Sequence, residues 1–81
     1  MIFKILGSEC TKCNKLETHV RQAVSKLGMD AEILKIKDMA EIMEYGVLQT
    51  PALVINEEVK STGRLLSVEE ITELIKKVHD A

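Results

Sequence analysis

The stretch Ile2-Phe3-Lys4-Ile5-Leu6-Gly7-Ser8-Glu9-Cys10-Thr11-Lys12-Cys13 decides how the rest of the chain is read. Ile2 to Leu6 is a short, apolar, β-prone run stopped by Gly7-Ser8, the pattern of a strand running into a loop. Two cysteines follow at Cys-x-x-Cys spacing. Beyond them Leu16, Val20, Ala23, Val24 and Leu27 recur at helical spacing up to Gly28, a C-cap glycine, with Glu17 and Arg21 four apart on the outer face. The pair therefore sits where a strand hands over to a helix of about four turns.

That position has chemical consequences. Cys10 falls at the helix N-terminus, where unpaired backbone N–H groups and the helix dipole favour negative charge. A free thiol has a pKa near 8.5, and a helix N-terminus with neighbouring cations lowers it to about 7 or less, which raises the thiolate fraction. Cys13 shares the helical face of Leu16, Val20 and Val24, so it is the shielded thiol. The arrangement suits two-step exchange: Cys10 attacks a disulfide and Cys13 resolves the mixed disulfide. A purely structural bridge is a poor alternative, because closing so short a loop removes little entropy from the unfolded chain. Metal binding is the stronger rival, since two thiolates are soft ligands for copper or zinc. There is no second Cys-x-x-Cys, however, and His19 and His79 do not form the close pair of a zinc finger. Both histidines read as structural, and no metal ligand set is assigned.

Working outward, Ala31 to Ile36 alternates as a second strand. Asp38 with Glu41 has capping-box spacing, and Met39, Ile42, Met43 and Tyr45 supply an apolar stripe that closes at Gly46, a second, shorter helix. Ala52 to Ile55 is a buried-type strand, Asn56-Glu57 a tight turn, and Val59 to Thr62 the returning strand before Gly63. Ser67 with Glu70 forms another capping box ahead of a helix whose core face is Val68, Ile71, Leu74, Ile75 and Val78. The order βαβαββα implies an α/β fold: a four-stranded mixed sheet, its first two strands parallel, flanked by three helices.

Composition narrows the function classes. The chain has 81 residues, 46% hydrophobic and 30% charged, enough for one compact domain spanning 1–81. The formal charge is −2, with 11 Lys plus Arg dispersed among 13 Asp plus Glu, which argues against a nucleic-acid partner. No apolar run approaches the roughly 18 residues that cross a bilayer, so no membrane span is expected. The first residues lack the cationic segment and cleavage site of a secretory signal, and a cytoplasmic location is expected.

Taken together, Cys10-Thr11-Lys12-Cys13 after a strand, Tyr45-Gly46-Val47 before Thr50-Pro51, and Gly63 after a hairpin resemble the thioredoxin superfamily. The size is closest to the small, glutaredoxin-sized members from archaea and anaerobic bacteria. The resemblance implies a minimal thioredoxin fold and a thiol-disulfide oxidoreductase. It makes Cys10 the attacking thiol, Cys13 the resolving thiol, and Pro51 a cis-proline facing them. Thr50 would pair its backbone with a substrate segment, and Thr50, Pro51 and Gly63 together would form the substrate-binding residues. The Trp, Gly and Pro typical of a thioredoxin active site are replaced by Glu9, Thr11 and Lys12, which would modulate the pair, and Ile2 to Leu6 carries Lys4 but no acid. The implied cofactor set is empty apart from a redox-active Cys10–Cys13 disulfide. The implied partners are disulfide-containing proteins and a thioredoxin-reductase-type electron donor, acting on a monomer. Two alternatives stay open. Glutaredoxins share the size and the Thr-Pro step but normally add Gly-Gly and an acid that grip glutathione, where this chain has Thr62-Gly63-Arg64-Leu65. Copper-chaperone domains also start a helix with Cys-x-x-Cys, but they follow it with two strands, and the Met expected two residues before the first Cys is Ser8 here.

Overall fold

The computed structural model describes residues 1–7 and 11–80; Ser8, Glu9, Cys10 and Ala81 lie outside the described residues. The elements run β1 (Ile2–Leu6), α1 (Thr11–Leu27), β2 (Glu32–Ile36), α2 (Met39–Glu44), β3 (Ala52–Ile55), β4 (Glu58–Thr62) and α3 (Val68–Asp80), the order expected from the hydrophobic periodicity. They form a mixed sheet ordered β2-β1-β3-β4, with β1 parallel to β2 and antiparallel to β3, and β3 antiparallel to β4. The central strands β1 and β3 are the apolar ones: all four residues of β3 are buried. A strand with neighbours on both edges and helices over both faces favours apolar residues, and the one charge in these two strands, Lys4 of β1, is only partly buried and is ion-paired.

Alternation along β1 separates two cores. Phe3 and Ile5 point to one face, where they pack with Leu16, Val20 and Ala23 of α1 and Ile71 and Ile75 of α3. Leu6 points to the other face and joins Ala52, Val54, Ile42 of α2 and Val47. The first cluster is much the larger, because two long helices cover that face and a six-residue helix covers the other. Lys35 on β2 ties this edge to α1, donating to Asn14 Oδ1 at 2.6 Å and pairing with Glu17 at 3.2 Å. The Arg21 guanidinium, then Lys35, hold the Glu17 carboxyl below its ordinary range.

The turns follow local chemistry. Asn56 and Glu57 both have positive φ, 50° and 69°, the conformation of a two-residue hairpin turn whose twist matches the strands. This short turn lets β4 begin at Glu58 rather than Val59, with Ile55 opposite Glu58. Ser67 and Glu70 form a complete capping box: the Glu70 N–H donates to Ser67 Oγ at 3.1 Å and the Ser67 N–H donates to Glu70 Oε1 at 3.2 Å. Asp38 caps α2 differently from the spacing's suggestion. Its carboxylate accepts from the Ala40 N–H at 3.1 Å, and the expected return bond from Glu41 is not formed among the described residues.

The Ser67 box makes a measurable contribution. Ser67→Ala is expected to lower unfolding stability by about 1 kcal/mol at neutral pH, the usual cost of a lost N-cap, read by urea titration. The hydrogen bond from the Ser67 backbone is the main cause of the lowered Glu70 pKa. A carboxyl depressed in the folded state stabilises fully above its unfolded pKa, near 4.3, and loses that contribution as pH falls through the lower folded value. The Glu70 half of the box should therefore be lost only on acidification below about pH 4.

Candidate active site

The carboxyl end of β1 and the amino end of β3 meet at one pole of the molecule, with Leu6 opposite Ala52. Gly7 continues the β1–β2 ladder by donating its N–H to the Ile36 carbonyl at 2.9 Å. Its φ is +108°, a backbone conformation that favours glycine. A β-carbon there would lie 2.9 Å from Thr50 Cβ and 3.0 Å from Cys13 Sγ, so both side chains crowd against the bare Gly7 backbone. Gly7 is thus the floor on which α1 and the β3 entry meet. The sequence marked it only as the end of a strand; the signal that could have found it is a glycine placed between a buried strand and a Cys-x-x-Cys.

Cys13 is 1% exposed on the face of α1 that also buries Leu16 and Val20. Thr11 and Lys12, in the first turn of α1, are exposed, and that turn contains no acidic residue. Cys10 and Glu9 lie outside the described residues. Across from Cys13, Thr50 is exposed, Pro51 is buried, and the peptide bond between them is cis. Gly63 lies alongside, its N–H donating to the Pro51 carbonyl at 2.8 Å. A side chain on Gly63 would strike Gln49, whose Oε1 would be 2.5 Å from the added carbon. Cys13, Thr50, Pro51 and Gly63 are therefore gathered at one pole by three separate segments of chain. Tyr45-Gly46-Val47 is not part of that constellation: Val47 is a core residue, and Tyr45 caps α2.

Three residues form a polar cluster not anticipated from sequence. Lys4 projects to the α2 face of the sheet, opposite α1, donates to the Tyr45 hydroxyl at 2.8 Å, and forms an ion pair with Glu57. Tyr45 in turn donates to Glu57 at 3.3 Å, and the Lys4 ammonium stands 5.5 Å from the Tyr45 ring centroid. Glu57 and then Tyr45 raise the Lys4 pKa, and the Lys4 ammonium lowers that of Glu57. The one charge on β1 is neutralised there by the hairpin turn. His19 is half-buried with Nδ1 2.7 Å from the Leu66 carbonyl, a contact that requires Nδ1 to carry the proton. His79 is exposed in the last turn of α3.

Comparison with known proteins identifies the family and the fold. A family model described as a thioredoxin domain matches residues 1–76. The chain is 43% identical over 75 residues to a thioredoxin of Methanothermobacter thermautotrophicus, covering 93% of this chain and 97% of that protein. It is 41% identical over 76 residues to a thioredoxin of Methanocaldococcus jannaschii, covering 94% and 87% respectively. Among solved structures, one described as a malarial protein superposes with a TM-score of 0.70 at 19% identity, covering 94% of this chain and 93% of its own, a likeness of fold. With its four-stranded mixed sheet, three helices and near full-length similarity to archaeal relatives, the chain belongs to the thioredoxin family, in its small archaeal-type form.

Proposed function

We propose that the protein is a cytoplasmic dithiol reductant of protein disulfides, acting as a monomer through Cys10 and Cys13. Membership of the thioredoxin family supports thiol-disulfide redox chemistry in general. The observation that carries the finer reading is the convergence of the Cys13 sulfur and Thr50 on Gly7 beside the cis Thr50–Pro51 bond. A buried cysteine sulfur beside an exposed residue just ahead of β3 is suited, once reduced, to resolving a disulfide presented from outside. In the forward reaction the Cys10 thiolate attacks one sulfur of the substrate disulfide, forming a Cys10–substrate disulfide and releasing the other sulfur, which takes a proton. The Cys13 thiolate then attacks the Cys10 sulfur and releases the second substrate thiol. Two electrons and two protons pass to the substrate, and a Cys10–Cys13 disulfide remains for a thioredoxin-reductase-type donor to reduce.

Electrostatics set the expected poise. The α1 dipole and the Lys12 and Lys15 cations favour the Cys10 thiolate, and the neighbouring acid Glu9 opposes them; Lys12 and Lys15 are exposed and so screened by solvent. A modestly stabilised thiolate leaves the disulfide relatively favoured, so the pair is reducing, with a potential of roughly −200 to −300 mV. Equilibration in glutathione buffers followed by acid quench and thiol counting measures it. The reading requires two thiols to appear together within that range. A value near −120 mV, that of a strong oxidant, or thiols that resist oxidation only while a metal is bound, would contradict it.

A further inference from the structure

The α2 side of the same pole carries an unusual surface. Met39, Met43 and Leu48 are 68%, 64% and 93% exposed, although the periodicity of α2 placed both methionines on an apolar stripe with Ile42. Ile42 alone reaches the core, because α2 is a six-residue helix that meets the sheet through one side chain. The three exposed residues are not scattered. With Ile42 and Val47 as its floor, they line a cleft of about 220 Å³ that runs up to Thr50. Single exposed apolar residues are ordinary, but a contiguous group at the rim of a reactive site marks a contact surface. Methionine suits such a surface, being unbranched and adaptable.

The charge around the cleft specifies its partner further. Residues 38–50 contain Asp38, Glu41 and Glu44 and no Lys or Arg. All three acids are exposed, and none forms an ion pair among the described residues. A partner segment that fills the cleft is therefore favoured by a cation beside its apolar side chain.

We propose that this cleft selects the disulfide-bearing segment of a protein partner in which a large apolar residue flanked by Lys or Arg lies close to the reacting cysteine. The apolar side chain enters between Met39, Met43 and Leu48, the cation faces Glu41 and Glu44, and the segment's disulfide is delivered past Thr50 toward the cysteine pair. The inference rests on the exchange reaction proposed above and adds a specificity surface to it.

The test uses the full-length protein, reduced with dithiothreitol and freed of it, in single-turnover reactions with thionitrobenzoate-capped cysteine peptides. One peptide carries Leu and Lys near its cysteine, a second Ser and Glu at the same places; the small disulfide dithiobis(nitrobenzoate) serves as a substrate with no segment. The expected preference for the Leu-Lys peptide is about tenfold or more, the discrimination an apolar pocket supplies. In M39S/M43S/L48S, whose replaced side chains are exposed, the preference should collapse to within about threefold while the small disulfide reacts at the unaltered rate. Replacement of both acids by E41K/E44K should weaken the preference and remove its dependence on salt. Equal rates for the two peptides with wild-type protein, with the small disulfide still reduced, would overturn the specificity surface and leave the exchange reaction standing. Failure of the wild-type protein to reduce even the small disulfide would overturn both.

Discussion

Gly7→Ala is expected to destabilise the protein by about 2 to 5 kcal/mol and to cut disulfide-reductase activity more than tenfold. Two effects add. A β-carbon at φ +108° carries a left-handed backbone penalty of roughly 1–2 kcal/mol, and the same carbon would stand 2.9 Å from Thr50 Cβ and 3.0 Å from Cys13 Sγ. Neither neighbour yields easily, since Cys13 is buried on α1 and Thr50 is bonded to buried Pro51; overpacking of this kind costs about 1–3 kcal/mol. A domain of this size has a total stability of only about 4–12 kcal/mol, so the loss is a large share of it. Gly28 provides the control, with φ +63° and open space where a β-carbon would go. Gly28→Ala should suffer the backbone penalty alone and keep full activity. Thermal unfolding separates the two, each extra kcal/mol lowering Tm by roughly 4–8 °C. Equal melting of the two variants would show that Thr50 and Cys13 do not close on Gly7.

The largest effect on activity is expected at Cys10. Cys10→Ser should reduce multiple-turnover disulfide reduction to the uncatalysed background, because a serine hydroxyl does not ionise near neutral pH and cannot form the mixed disulfide. Cys13→Ser should behave differently. It retains the attacking thiol, so a first equivalent of substrate thiol is released and turnover then stops. Stopped-flow detection of released thiol distinguishes a burst from no reaction. A burst from Cys10→Ser, or steady turnover by Cys13→Ser, would reverse or remove the assigned roles.

Much of this architecture was legible because burial and period agree along the chain. Ile2 to Leu6 and Ala52 to Ile55 read as strands since both are central in the sheet and tolerate little polarity, and Ser67-Glu70 read as a cap since both partners of the box are local. What escaped the sequence depends on contacts distant along the chain. The exposure of Met39 and Met43 follows from the shortness of α2 and its single point of contact, a fact of packing that periodicity does not carry. The irregularity between Leu53 and Val54, which places Val59 opposite Val54 and Ser61 opposite Leu53, has no signature in the β-prone run that contains it. Lys4 finds Glu57 and Tyr45 only because β1, the hairpin turn and the end of α2 converge on one face of the sheet. Within the site, Cys13 was readable as shielded from its helical spacing, whereas the contact of Cys13 and Thr50 with Gly7 required three segments to be folded together.

Intact-mass measurement of trapped intermediates tests the central claim most directly. Cys13→Ser and Cys10→Ser are each reduced, mixed with a disulfide-containing protein, quenched with acid and weighed. The account predicts a covalent adduct with Cys13→Ser, its mass equal to the sum of the two partners joined through one disulfide at Cys10 and dissociated by dithiothreitol. With Cys10→Ser it predicts no adduct above background. Adducts of equal yield from both variants, or from neither, would contradict the proposal that Cys10 attacks and Cys13 resolves.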